Sequence, residues 1–576
     1  RKMKLSHISY LAAVALVGLT SCNDFLDKVP DTRVELKTPE QLRMLLVNGY
    51  PTGSYSSICE LSSDNMIDNN SPNDQGVRYN LGAYDIIDNE LFAFEDAKAT
   101  SGEDTPSDVW ESYYHSIACA NAVLERIEEL EEEGQGDAPE VKAVKGEALL
   151  IRSYGHFILA NIFCEAYRGP ELSKSIKGIP YITKPETKVL VQYERGNLAD
   201  VYAQCQKDLE EGLPLINDSY YEVPKYHFNR QAANAYAARF YLFIRDYKNC
   251  LKYADLALGG ADTDASQFCT DIWAQAARFY YISDFARYFT NITHQRNFML
   301  IPTFSVFLRH MTGGRYTTNR DAKRATIQGP GPTWESWQWS NSQTGETFAM
   351  HPCFNGVCGS AGKSEYGTYF AGTLGEMFEY TDKVAGIGYA HNVRSEFFGE
   401  ETLMCRAEAK VFLGDYAGAV ADLKTWELSL RSTANDDGDE DRYADLTLKR
   451  IQEFYIDKDP GFGIAKPIHI DEVFPVADYS VTDANVALLQ CVQHFRRIVT
   501  VHNGMRFFDI KRLGLEITHV IGKDSRTETL TMLDPRKALQ IPNEVISAGL
   551  EPNDRIKQTP SAGSDLTVEK KYEQVK

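Results

Sequence analysis

The sequence predicts an all-α fold built from paired helices, and three observations predict it. Apolar residues recur at three- and four-residue spacing through long stretches: Trp110, Tyr113, Ile117, Leu124 and Ile127, then Ala148, Leu149, Ile151, Tyr154, Phe157, Ile158 and Ile162. Consecutive helical stretches are joined by turns of a few residues, such as the Glu-rich, Gly-containing run 131–137, Arg245-Asp246 and Gly414-Asp415. Helices joined so closely must fold back on each other as antiparallel hairpins. No glycine-, proline- or serine-rich linker divides the 576 residues.

The chain opens on a targeting pattern. Lys2 and Lys4 precede an apolar run from Ile8 to Leu19, which ends in Leu19, Thr20, Ser21 and Cys22. A charged start, an apolar core too short to span a bilayer comfortably and small residues leading into cysteine describe a lipoprotein signal. Residues 1–21 are expected to be removed and Cys22 lipidated, which anchors the rest by its acyl chains without a transmembrane helix. The formal net charge is −21, and it becomes more negative once Arg1, Lys2 and Lys4 leave with the signal. So acidic a chain repels phosphate backbones and anionic headgroups, which excludes nucleic acid as a partner and leaves membrane attachment to the lipid.

Residues 22–576 read as a single domain. Its first helix follows Pro106 with Ser107 as N-cap, and a second runs from about Val141 to Phe163. A second pair covers Asn229 to Ile244 and Tyr247 to Leu258, and a third covers Glu401 to Leu413 and Tyr416 to Leu428. The last two share a rule: small residues on the first helix (Ala232, Ala235, Ala238; Ala407, Ala409), Asp-Tyr at the turn, then the second helix. RDYKNCLKYADLAL at 245–258 parallels GDYAGAVADL at 414–423. These pairs resemble tetratricopeptide repeats, in which small residues let helices approach and stacking buries a continuous core. Cys119, Cys164, Cys205, Cys250, Cys405 and Cys491 fall within helical patterns, where a cysteine packs as a small hydrophobe.

The stretch from about 261 to 399 differs. It is rich in glycine, including Gly313-Gly314 and GPGP at 329–332, lacks sustained periodicity, and is too aromatic for disorder. Loops this long in a compact protein usually carry function, so ligand contacts are expected here. Three of the six tryptophans, Trp334, Trp337 and Trp339, lie within six residues, preceded by Phe304, Phe307 and Tyr316. Flat rings suit stacking on sugar faces or peptide side chains, which makes Trp334, Trp337, Trp339 and Tyr316 the candidate ligand-binding residues. Cys353 and Cys358 share a glycine-containing loop, a spacing that admits a local disulfide and supplies too few ligands for a zinc site.

No catalytic motif is present. Zinc-protease, phosphate-loop and dinucleotide fingerprints are absent. Ser63-Asp64-Asn65 and Ser360-Ala361-Gly362-Lys363 match fragments of penicillin-binding enzymes, but in reversed order and without the third element. The acidic run 436–441 has its glycine out of register for a calcium-binding hand. Neither catalytic residues, a metal nor a cofactor is expected.

Four stretches together resemble the SusD/RagB family of outer-membrane nutrient-binding lipoproteins: SCNDFLD at 21–27, WESYYHSIACAN at 110–121 followed by GEALLIRSY at 146–154, NGMRFFDIKRLG at 503–514, and DPRKALQIPNE at 534–544. Their order and spacing span nearly the whole chain. The resemblance implies a cell-surface, lipid-anchored protein that binds an oligosaccharide, or alternatively a peptide, and hands it to a TonB-dependent (SusC-like) outer-membrane transporter without acting as an enzyme. A surface glycan hydrolase is the competing class. In the third stretch the resemblance assigns Gly504, Arg506, Asp509 and Arg512 to helix packing and ion pairing, not to ligand. Replacing Cys22 with Ser should move the protein out of the membrane fraction; continued sedimentation with the outer membrane would contradict lipidation.

Overall fold

A computed structural model describes residues 36, 38–73, 76–99, 101–186, 192–270, 282–312, 314–318, 322, 324–327, 329–334, 338–341, 346–348, 374–430 and 445–555. The lipidation candidate Cys22, the Cys353 and Cys358 loop and the acidic run 436–441 lie outside them. Twelve helices carry the description: α1 Pro39–Val47, α2 Ser56–Leu61, α3 Ile86–Phe92, α4 Pro106–Glu132, α5 Pro139–Phe163, α6 Leu198–Gly212, α7 Arg230–Phe243, α8 Tyr247–Ala257, α9 Gly399–Phe412, α10 Tyr416–Ser429, α11 Val486–Val499 and α12 Met505–Arg512.

Local chemistry sets their ends. Thr105, not the expected Ser107, caps α4: its hydroxyl accepts from the Asp108 N–H at 3.1 Å, and Pro106 takes the first helical position, where a missing N–H is harmless. Asn229 caps α7 through its Oδ1, and Asp246 and Asp415 cap α8 and α10. The α7–α8 and α9–α10 turns are built alike. Arg245 (φ 57°) and Gly414 (φ 82°) adopt the left-handed conformation that ends a helix, and the next amide returns to Tyr241 O or Lys410 O at 2.9 Å. The arginine tolerates this conformation because its guanidinium is held by carbonyls of Ile470, Phe474 and Tyr479 and by Asp471.

Neighbouring helices pack in succession: α4 on α5, α5 on α6, α7 on α8, α8 on α9, and α9 on α10 and α11. Small residues permit the close contacts. Ala232, Ala235, Ala238, Ala407 and Ala409 are fully buried, and α5 crosses α6 at Gly146 and Gly212, where a Cβ on either would come within 2.9 Å of the other's carbonyl oxygen. The helical cysteines are buried free thiols, as their positions in the apolar stripes predict.

The all-α expectation needs correction. Among the described residues, nine short strands form small antiparallel sheets: β1 Ile67–Asp68, β2 Asn297–Thr303, β3 Tyr316–Thr317, β4 Gln338–Asn341, β5 Glu346–Phe348, β6 Met377–Asp382, β7 Ile387–Phe398, β8 Ile517–Ile521 and β9 Arg526–Leu530. The largest has the order β2-β7-β6, with Leu300 opposite Ser395 and Phe378 opposite Ala390. It falls within the stretch read as loops. Strand β2 is buried on both faces, so its apolar residues run consecutively without alternation, and the sheet pairs strands far apart in sequence. Helix nevertheless dominates the fold.

A buried ionic network joins the two halves of the chain. Arg239 on α7 donates to Glu396 on β7 (2.8 Å) and approaches Glu401 on α9 (3.3 Å). Arg496 on α11 links Glu401 (3.0 Å) to Asp509 on α12 (2.9 Å), and Arg512 joins Asp509 (2.7 Å) to Glu408 on α9 (2.6 Å). Arg394 and the Tyr55 hydroxyl complete the shell of Glu396. Asp64 receives Arg506 (2.7 Å), Lys466 (3.1 Å) and Arg497 (3.5 Å). Asp64 is therefore occupied by ion pairing, as are Arg506, Asp509 and Arg512, while its neighbours Ser63 and Asn65 donate to Glu60. Gly504 (φ 82°) lets α12 start against α2, where a Cβ would meet Tyr55 at 2.9 Å.

Burial alone would raise the carboxyls of Asp64, Glu401 and Asp509, but the surrounding guanidinium groups outweigh it and lower all three. Carboxyls depressed in the folded state contribute stability above their unfolded value, about 4, that is lost as pH falls through the folded values. Resistance to unfolding by urea should therefore fall below about pH 4. Replacing Arg496 with Met should cost about 3–5 kcal/mol at neutral pH by stranding Glu401 and Asp509, whereas Arg526→Ala, at a half-exposed pair with Glu95, should change little. Equal effects of the two substitutions would contradict a structural role for the network.

Candidate ligand-binding site

Helix α4 has two aromatic faces. Tyr113 and Ile117 point into the core, while Trp110, Tyr114 and Ala118, spaced by four, form a second row about 100° around the helix. That row is one wall of a cleft of about 600 Å³. The opposite walls come from Pro180, Ile182, Lys184, Pro185, Glu186 and Tyr193, and from Val545, Ala548 and Leu550 near the end of the described chain. The volume lies within the range of small-ligand sites, and the lining mixes apolar and aromatic surface with a few polar groups. A second void, bordered by Arg296, Glu400, Trp426 and Asn503, measures only about 50 Å³ and holds no more than water.

The rings of the cleft are positioned, not loose. Trp110 is nearly buried, meeting Phe163 edge-on at 5.0 Å and Tyr114 at 4.8 Å. Tyr114 donates its hydroxyl to Pro180 O at 2.8 Å, and burial pushes its phenol well above the ordinary value. Tyr193 donates to Glu186 Oε1 at 2.6 Å; partial burial and that carboxylate push its phenol up to about 12. Both phenols stay neutral at physiological pH.

Behind the wall at 180–182 lies a hydrogen-bonded support. Asn121 donates to Ile182 O at 3.0 Å. Its own carbonyl accepts from Arg152, which forms a two-pronged pair with Asp208 (2.6 and 2.8 Å), and Asp208 also receives the Tyr181 hydroxyl. Burial drives His156 down to about 3, so its ring is neutral; Nδ1–H donates to Arg152 O, Nε2 accepts from the Ile182 amide at 3.0 Å, and the ring stacks on Tyr181 at 3.7 Å. The same Trp, Tyr and Asn residues that mark the WESYYHSIACAN stretch thus form the cleft wall and fix its partner.

A family model described as SusD-like, "Starch-binding associating with outer membrane", matches residues 24–242, which include most of the cleft lining. The fold is shared with SusD superfamily proteins of known structure. One from Bacteroides thetaiotaomicron VPI-5482 is 17% identical, covers 90% of this chain and 100% of its own, and has a TM-score of 0.56. One from Bacteroides vulgatus ATCC 8482 is also 17% identical, covers 90% and 99%, and scores 0.55. One from Bacteroides fragilis is 15% identical, covers 89% and 98%, and scores 0.54. Residues 24–242 thus match the SusD-like family model, and the chain shares the SusD superfamily fold. Among curated proteins, none matches this sequence.

The rings singled out from sequence lie elsewhere. Trp334 is half-buried: its indole N–H donates to Gly329 O at 2.9 Å, its ring lies against Gly331, and it packs on Phe495 (5.6 Å) and His494 (6.2 Å) of α11. Beside it, the Thr333 hydroxyl donates to Glu427 on α10. The ring seats its loop on the helices. Tyr316 is 2% exposed, packs on Phe92 at 4.6 Å and donates to Asn89 at 2.8 Å, so it is a core residue and offers no face to ligand. The physical reason is common to both: a large ring stabilises whichever surface covers it, and here helices do. Trp337 and the Trp339 side chain lie outside the described residues. The long insertion does expose rings on its β6–β7 hairpin, where Phe378 and Tyr380 are about half exposed, and at Phe304, which meets Tyr389 edge-on at 5.0 Å.

What sequence reasoning missed is the outward row of α4. Adjacent Tyr113 and Tyr114 cannot both face one core, and that pairing was the available signal. Replacing Trp334 with Ala should lower the unfolding free energy by on the order of 2–4 kcal/mol while oligosaccharide affinity, measured by calorimetry, is unchanged; lost affinity with intact stability would return the ring to the binding site.

Proposed function

We propose that this SusD-like protein is a non-catalytic glycan receptor that holds an oligosaccharide in the cleft beside α4. The observation that carries the reading is the convergence of Trp110, Tyr114 and Tyr193 with Glu111, His115, Lys184 and Glu186 around a cleft of about 600 Å³, within the stretch matched to a starch-binding family. Ring faces stack on the C–H surfaces of sugars, while carboxylates, amine and phenols supply the hydrogen bonds that hydroxyl-rich ligands require. Of the two lining carboxylates, Glu186 already accepts from the Tyr193 hydroxyl.

The wider role follows the same reading. Anchored by a lipid on Cys22, the protein would sit at the outer-membrane surface and pass its oligosaccharide to a TonB-dependent transporter. Among the described residues no helix is long and apolar enough to cross a membrane, and this reading assigns attachment to the lipid. The helical pairs α7–α8 and α9–α10, read as tetratricopeptide-like, would present the extended face to the transporter.

Electrophoresis of the mature protein through native gels containing soluble polysaccharides tests this. Retardation by at least one glycan is expected, with that glycan's chain length unchanged after prolonged incubation. Tyr193→Ala and Tyr114→Ala, each checked for an unaltered melting transition, should weaken retention by roughly tenfold, the loss expected from removing an aromatic anchor. Shortened products would contradict the receptor, and unaltered retention in both variants would contradict the cleft.

A further inference from the structure

We infer that the cleft takes glycan chains whose hydroxyls are capped by small acyl groups, such as O-acetyl esters, with an ester methyl seated between the α4 rings and the walls that face them. This rests on the proposed oligosaccharide receptor and adds the chemical class of the chain. The lining is sorted by depth. Glu111, His115, Lys184 and Glu186 are exposed and stand at the mouth, while Trp110, Ile117, Pro180 and Leu550 are buried. Half-buried Ile182 and Val545 and exposed Ala548 continue the apolar surface outward on the two facing walls.

The backbone of those walls is committed inward or to itself. Pro180 O accepts the Tyr114 hydroxyl at 2.8 Å, the Ile182 amide donates to His156 Nε2 at 3.0 Å, and Ile182 O accepts from Asn121 at 3.0 Å. On the third wall, 545–550, the Ala548 and Leu550 amides donate to Glu544 O and Val545 O. Arg195 ties the bases of the two facing walls together, donating to Gly178 O and Glu551 O, and its Nη2 is shut off from solvent, so it does not line the cleft. Among the described residues, the interior therefore offers carbon and the mouth offers hydrogen bonds.

A pyranose has two C–H faces and a rim of hydroxyls. Stacking on Trp110 and Tyr114 uses one face, and an aliphatic wall can take the other. A third apolar wall then meets the rim, where a bare hydroxyl pressed against it loses its water and gains no partner. Esterification removes that O–H donor and puts a methyl in its place, so the same contact becomes burial of apolar surface.

The test measures, by calorimetry on the mature protein, the binding of short oligosaccharides of starch, xylan and mannan, each O-acetylated to the same degree and each after mild alkali has removed the esters. For at least one backbone the acetylated chain should bind roughly tenfold tighter than its deacetylated form, with the more negative heat-capacity change that apolar burial produces. Val545→Thr with Ala548→Ser places two hydroxyls on the third wall and should cut that preference to about threefold or less. A partly unfolded variant would weaken both chains alike and leave the ratio unmoved, so loss of folding cannot imitate this result. Equal or tighter binding of the deacetylated chain for every backbone that binds would overturn the inference and leave the glycan receptor standing. So would a preference that the double variant does not reduce. Absence of binding by every oligosaccharide in both forms, with or without capture of apolar peptides from a protein digest, would instead remove the glycan reading itself, and this inference with it.

Discussion

Glu401 on α9 accepts guanidinium groups from two directions, Arg239 of the α7–α8 pair and Arg496 of α11, in surroundings from which water is excluded. A carboxylate buried so completely is tolerable only while both partners stay in place. Because Arg496 continues to Asp509 and Arg512 returns to Glu408, one closed circuit ties α7, α9, α11 and α12 to each other. Through Glu396 it reaches Tyr55 and Arg394, so the N-terminal segment and β7 take their positions from it as well. Apolar burial supplies the bulk of the stabilisation. Apolar contacts tolerate sliding; paired charges fix which helix meets which, at what rotation.

That fixed arrangement gives α4 its unusual situation. One face packs on α5 and joins the core, and a second, also aromatic, stays open because the wall at 180–186 stands away from it, held by Asn121 and His156. A ring row on a 27-residue helix is rigid. Its partner wall is set by hydrogen bonds to that helix and to its neighbour, so the cleft is preformed, and a ligand entering it orders little that is not already ordered.

Much of the helical scaffold was legible in the chain itself. The pairs around Asp246-Tyr247 and Asp415-Tyr416 begin at the residues their caps predict, since Asp at an N-cap and small residues along one stripe are local signals that tertiary context did not override. The run ending in Arg512 was correctly assigned to ion pairing. The strands were hidden for a physical reason: β2 pairs with β7 some ninety residues away, and neither turn chemistry nor alternation announces such a partner. Composition drew attention to the tryptophan cluster, yet Trp334 anchors its loop and Tyr316 lies in the core. Exposure depends on what folds over a ring, which no count of aromatics contains. The cleft escaped notice because its three walls are distant in sequence, at 110–118, at 180–186 with Tyr193, and at 545–550.

The measurement that bears most directly on the cleft beside α4 is a crystal structure of the protein soaked with the oligosaccharide it retains most strongly in gels. Sugar density stacked against Trp110 or Tyr114, with a hydroxyl bonded to Glu111 or Tyr193, is the predicted result. Density confined to the exposed rings of the β6–β7 hairpin, with the cleft holding only water, would contradict it.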